Sequence, residues 1–167
     1  MINGVHHVAI STGNLERALE FYRDILGLDV VLEGGWEKDT PAGRMADRIT
    51  GLQGSATQMA MLRAGNAMIE IFQYDSPEPG PGDPGRPVCD HGLTHICLDV
   101  TDVDAEYKRL EAAGMRFHCP PQMLGRAVKT TYGRDPDGNV IEIQEILWPE
   151  SKISLCPARA KGGGSEG

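Results

Sequence analysis

Two stretches of the chain close in the same way, Gly65-Asn66-Ala67-Met68-Ile69-Glu70-Ile71 and Gly138-Asn139-Val140-Ile141-Glu142-Ile143. Upstream of each lies an apolar strand-like run with a histidine, His7 in Val5–Ile10 and His95 in Leu93–Leu98. A repeat of this kind constrains the fold strongly, because each copy must form the same small unit and share or duplicate its core. The His-to-Glu separation is 63 residues in the first copy and 47 in the second. The extra length of copy one therefore falls around Gly34 to Gly54.

The order of elements follows from periodicity. Val5 to Ile10 alternates, with Val5, His7 and Ala9 on one face and His6, Val8 and Ile10 on the other. Leu15, Ala18, Leu19, Tyr22 and Leu26 then recur at helical spacing, with Asn14 placed to cap the helix and Gly27 to end it. Leu28 to Leu32 reads as a strand, followed by the polar insert. Thr57–Leu62 and Ala67–Phe72 form a hairpin around Arg63 to Asn66. Ser76 to Pro87 holds five prolines and three glycines in twelve residues, which suits only a surface connector.

Copy two repeats the order. A strand over Leu93–Val100 precedes a helix after Thr101, where Thr101 and Asp104 have capping-box spacing and Val103, Tyr107 and Leu110 form the buried stripe. Gly114 stops this helix, a short strand covers Met115–His118, and Ala127–Tyr132 and Val140–Ile146 close the unit. The predicted class is α+β, with paired βαβββ modules forming an open, barrel-like metal-binding cleft. The first module spans 1–75 with its insert near 34–54, the connector 76–90, the second module 91–150, and a mobile tail 151–167.

The net charge of −8 argues against nucleic acid or an anionic membrane surface as partner. No apolar run approaches the roughly 18 residues that cross a bilayer. The first residues show no basic segment followed by a long apolar one, so a cytoplasmic location is expected. Cys89, Cys97, Cys119 and Cys156 include no CxxC pair and read as reduced thiols, Cys97 being notable for alternating with His95.

Aligning the two opening strands pairs His7 with His95 and sets His6 opposite Thr94. Glu70 and Glu142 share one position after a Gly-Asn turn, each between two isoleucines. Two carboxylates facing a cleft repel each other unless a cation neutralises them or one is protonated. The four residues His7, Glu70, His95 and Glu142 are thus candidate ligands of one divalent metal ion, drawn from Zn, Ni, Co, Mn and Fe. Tyr132 and Arg126 are candidate substrate contacts or ordinary surface groups. Met59, Met61, Met68 and Phe72 suit an apolar cavity wall or a plain core equally well. His91 and His118 are read as structural or exposed.

His7-Val8-Ala9-Ile10, Phe21-Tyr22-Arg23-Asp24-Ile25-Leu26-Gly27-Leu28, Gly92-Leu93-Thr94-His95-Ile96 and Asp135-Pro136-Asp137-Gly138-Asn139-Val140-Ile141-Glu142 together resemble the vicinal oxygen chelate superfamily over residues 4 to 148. That group includes lactoylglutathione lyase, methylmalonyl-CoA epimerase, extradiol dioxygenases, and fosfomycin and bleomycin resistance proteins. The resemblance implies metal ligation by His7, Glu70, His95 and Glu142, nearest in pattern to the lyase. It further implies a metal-dependent lyase or isomerase that removes a proton beside a carbonyl of a small-molecule substrate, through an enediolate-like intermediate, with Glu142 as first candidate for the base and Glu70 as the alternative. A homodimer fits the same resemblance. An extradiol-type dioxygenase and a metal-independent drug-binding protein are the competing readings; Glu70 counts against the first, because it fills a position such enzymes leave open.

Overall fold

The computed structural model describes residues 1–148 and 150–155. The chain divides into two compact units, the first made of Met1–Pro87 together with Asp135–Asn139, the second of Val88–Arg134 and the chain from Val140 onward.

The first unit begins with β1 (His7–Ser11) and helix α1 (Leu15–Leu19), which runs on as a π-helical segment, Glu20–Ile25. Asn14 caps α1, its Oδ1 accepting the Arg17 amide at 2.9 Å, and Gly27 ends the segment at φ +76°. The π-helical turn is visible in the Leu26 amide reaching back five residues to the Phe21 carbonyl at 2.8 Å. Strand β2 (Asp29–Trp36), helix α2 (Pro41–Thr50), β3 (Ala56–Ala64) and β4 (Ala67–Ser76) follow. The sheet order is β1-β4-β3-β2, with β1 parallel to β4 and the other neighbours antiparallel.

Helix α1 and its continuation bury Ala18, Leu19, Phe21 and Tyr22. The sheet supplies Ile10, Ala60, Leu62, Ile69 and Ile71, which occupy one side of their strands by register. Full burial of each large side chain here, such as Leu62 or Ile71, stabilises the fold by roughly 1.5–3 kcal/mol.

The second unit repeats the plan with β5 (Ile96–Asp99), α3 (Val103–Ala112), β6 (Arg116–Phe117), β7 (Gln122–Leu124), β8 (Val128–Arg134) and β9 (Val140–Ile146). Its order is β5-β9-β8-β6, with β7 paired to β8 and β5 parallel to β9. Opening strand beside closing strand, with the two middle strands outside them, is the same arrangement as in the first unit, and the α+β class follows.

Several local expectations change. The strand expected at Leu28–Leu32 continues to Trp36, and the polar insert holds helix α2. Thr40 caps α2 by accepting the Gly43 amide at 3.0 Å, Pro41 takes the first turn, and Gly51 ends it at φ +77°. The cap of α3 is Asp102, not Thr101: its Oδ1 accepts the Ala105 amide at 3.0 Å. The second opening strand starts at Ile96, so His95 stands just ahead of it. Between Ser76 and Ile96 the backbone runs in turns and irregular segments. Cys156 and the tail from 156 onward lie outside the described residues. Among the described residues no helix is long and apolar enough to cross a membrane.

Candidate metal-binding and catalytic site

In the first unit the parallel register sets His7 beside Met68, Ala9 beside Glu70 and Ser11 beside Phe72. Side chains alternate along a strand, so His7, Glu70 and Phe72 share one side while Val8, Ile10, Ile69 and Ile71 take the helix-covered side. His7 Nε2 faces Glu70 Oε2 at 3.4 Å, and His7 Nδ1 lies 2.9 Å from His6 Nδ1. Met61 stands opposite Glu70 on β3, and Met59 opposite Phe72. The methionines that sequence left undecided, Met59, Met61 and Met68, therefore share the Glu70 side of the sheet.

The same side carries an aromatic row that the sequence did not suggest. Phe72 and Tyr74 are stacked with centroids 5.7 Å apart, and Trp36 meets them edge-on at 6.0 and 6.4 Å. The Trp36 indole N–H donates to Ser55 Oγ at 2.8 Å, and the Ser55 hydroxyl donates to Asp47 Oδ1 at 2.5 Å. Burial and the nearby Glu70 carboxylate raise the Tyr74 pKa above its ordinary value.

In the second unit Cys97, Glu142 and Tyr132 are cross-strand neighbours, and Ile141 and Ile143 take the opposite side. His95 Nε2 faces Glu142 Oε2 at 3.0 Å, with His95 Nδ1 2.8 Å from Thr94 Oγ1. Glu142 is 8% exposed. Its second oxygen, Oε1, accepts the Thr130 hydroxyl at 2.5 Å, and that hydroxyl also lies 3.0 Å from the Ile143 carbonyl. Tyr132 packs its ring against His95 at 4.9 Å and near His118 at 6.4 Å. Lost hydration, with Glu142 beside it, pushes the Cys97 thiol up to about 12, so it remains a neutral thiol at physiological pH.

The structure thus joins His7 with Glu70 and His95 with Glu142. In both pairs the histidine turns Nε2 to the carboxylate and Nδ1 to the preceding residue. At 3.0 and 3.4 Å each pair stands as a His–Glu ion pair, and each could supply one N and one O donor to a divalent ion. Among the described residues, no group of three or more His, Cys, Asp or Glu side chains gathers as one cluster. His91 and Arg126 are exposed and lie outside the strands. Sequence reasoning did not pick out the Thr130 hydroxyl on Glu142 or the Trp36 ring on Phe72; the period-two relation of Thr130 to Tyr132 on one strand was the available signal.

A solved glyoxalase family protein from Bacillus cereus superposes with a TM-score of 0.78 at 23% identity, covering 89% of this chain and 97% of that one, which is a likeness of fold. The mitochondrial methylmalonyl-CoA epimerase of Dictyostelium discoideum is 24% identical over 86% of this chain and 79% of its own length. A 2-epi-5-epi-valiolone epimerase of Actinomyces sp is 31% identical over 72% of this chain and 64% of its own length. With residues 4–143 matching the family as a whole, the chain belongs to the Glyoxalase/Bleomycin resistance protein/Dioxygenase superfamily.

Proposed function

We propose that the protein is a divalent-metal-dependent isomerase or lyase that removes the proton beside the carbonyl of a small-molecule substrate. The observation that carries this reading is the recurrence, in both units, of a His Nε2 facing a Glu Oε, at 3.4 and 3.0 Å. His7, Glu70, His95 and Glu142 would together hold one ion. Two neutral imidazoles and two carboxylates leave such a site close to neutral, which offsets the repulsion two unpaired carboxylates would suffer. The ion, when bound, supplies positive charge that stabilises negative charge developing on a substrate oxygen.

The protein's own groups do the rest. A carboxylate accepts the proton, and in the isomerase arm returns it at the neighbouring carbon or on the other face. Both curated relatives described above are named as epimerases, which favours that arm. The row of Trp36, Phe72 and Tyr74, with Met59 and Met61, lies on the same side of its sheet as Glu70 and suits a flat apolar group on the substrate. That row also favours a second reading, a metal-independent binder of an aromatic compound.

One screen separates these readings. Purified protein of measured metal content is incubated in deuterated water with 2-oxo thiohemiacetals, 2-hydroxy carbonyl compounds, acyl thioesters and, under air, catechols. The proposed function expects deuterium uptake beside the carbonyl without oxygen consumption, abolished by chelation. Catechol cleavage with stoichiometric oxygen uptake would replace it with a dioxygenase, and tight aryl binding without metal or turnover would replace it with the binder.

A further inference from the structure

The two modules place charge differently at one matching pair of strand positions. In the first, Arg63 on β3 stands across from Asp29 on β2, a base facing an acid. In the second, the matching position on β8 is Arg134, and the residue across from it on β6 is Arg116. The glutamates fix the match: Arg63 lies two residues beyond Met61, the partner of Glu70, and Arg134 two beyond Tyr132, the partner of Glu142.

Residues directly opposite on antiparallel strands hold their Cβ atoms about 4.5–5.5 Å apart, and like charges there repel. Side chains alternate along a strand, so Arg134 lies on the side of Tyr132 and Glu142, and Arg116 shares it. Phe117 takes the other side, its ring 4.8 Å from that of Tyr107 on α3. His118 is two residues on from Arg116: its amide donates to the Tyr132 carbonyl at 2.8 Å, and the two ring centroids are 6.4 Å apart. Arg116 and His118 are exposed and Arg134 is half-buried, so the group opens to solvent. All these residues belong to the second unit. In a chain of net charge −8, attraction for an anion has to be local.

We propose that Arg116 and Arg134, with His118 beside them, form a subsite for a carboxylate or phosphate group and hold the anionic end of the substrate. A guanidinium meets either group through two parallel N–H bonds, and an anion between the arginines replaces their repulsion with attraction. The Tyr132–Glu142 pair lies roughly 7 Å, two residues, along the same face. The subsite stands on strand register; its assignment to the substrate rests on the proton-abstraction reading above, which it narrows to carbonyl compounds bearing a carboxylate or phosphate.

The test titrates the isotopically labelled full chain, with and without chelator, against inorganic phosphate and against malonate at constant ionic strength, following backbone amide resonances. Saturable shifts centred on Arg116, His118 and Arg134 are expected under both conditions. Arg116→Gln and Arg134→Gln should each weaken binding roughly tenfold or more, as loss of a hydrogen-bonded charge does. Arg63→Gln, which removes the matching charge from the first unit, should leave binding unchanged. Arg116→Gln alters an exposed side chain and relieves a like-charge contact, so its urea midpoint should be no lower than the parent's. No saturable binding of either anion, binding lost on chelation, or equal loss in Arg63→Gln overturns the subsite. Matched carbonyl compounds with and without the anionic group, dihydroxyacetone phosphate and dihydroxyacetone among them, then test its role in deuterium exchange. The anionic members should show a lower KM in the parent and lose that advantage in Arg116→Gln; equal KM values within the pairs overturn the substrate role. Anion binding that persists in a protein exchanging no carbonyl compound overturns the proposed function and leaves the subsite standing.

Discussion

Tyr22→Phe removes one oxygen from a fully buried side chain, and the structure sets the size of the effect. The Tyr22 hydroxyl donates to Asp135 Oδ2 at 2.8 Å, and both residues lie in the first unit. Asp135 is itself 3% exposed and accepts three further bonds, from the amides of Asp137 and Asn139 and from the Asn139 side chain, at 2.8 to 2.9 Å. Hydrogen bonds to a charged group contribute roughly 1.5–3 kcal/mol, and because Asp135 keeps its other donors the loss falls near the lower end, about 1.5–2 kcal/mol. For a chain of this length that lowers the melting temperature by about 3–8 °C. Burial, reinforced by Asp135, raises the phenol pKa well above its ordinary value. A group with a raised folded-state pKa contributes fully below its unfolded pKa, near 10, and its contribution is lost as pH rises through the folded value. The stability gap between parent and Tyr22→Phe should therefore be constant from pH 6 to 9 and close above about pH 10. Urea denaturation across that range measures it. A variant melting within 1 °C of the parent, with an unchanged alkaline slope, would refute the reasoning.

Gly35→Ala should destabilise strongly, because a Cβ there would sit 2.1 Å from the Thr57 carbonyl oxygen at φ +153°; a loss on the order of 2–4 kcal/mol, read from urea midpoints, is expected. Asp47→Asn should weaken the protein at neutral pH and progressively less as pH falls. The Ser55 hydroxyl first, then the Ser55 and Gly54 amides, hold the Asp47 pKa low, so its contribution is present above the unfolded carboxylate value and lost below it. Equal pH dependence in parent and variant between pH 3 and 7 would contradict this. With Trp148→Phe leaving Trp36 as the one tryptophan, 2-hydroxyacetophenone should quench the remaining emission saturably, whereas hydroxyacetone should quench it weakly; linear, unsaturated quenching by both would remove the aromatic row from substrate binding.

The repeated frame was legible because its cues are local. Gly-Asn turns, alternating isoleucines and the spacing of Leu15, Ala18, Leu19 and Tyr22 each announce an element within a few residues. Helix α2 had its signals too, Thr40 before Pro41 and Gly51 at the end, but Gly43 inside it and the polar surroundings made the segment read as an insert. Contacts between distant residues were not legible. The motifs around Tyr22 and around Asp135 each stand out in the sequence, yet nothing in a single chain says that one donates a hydrogen bond to the other across 113 residues. The aromatic row has the same origin: Trp36, Phe72 and Tyr74 meet only through the β2-β3-β4 register.

Register also explains where the two modules have diverged. On the helix-covered side the pairs Ile69 and Ile71 in one unit, and Ile141 and Ile143 in the other, remain β-branched and almost wholly buried, because each must fill the same kind of core. On the opposite side the position across from the glutamate holds Met61 in one unit and Tyr132 in the other, and the position two residues before it on the same strand holds Met59 and Thr130. Packing holds the first set most tightly; in the second, Met59 is buried while Met61, Thr130 and Tyr132 are half-buried. The duplicated His/Glu pair thus has unequal surroundings from the strand beside it: apolar and aromatic next to Glu70, hydroxyl-bearing next to Glu142.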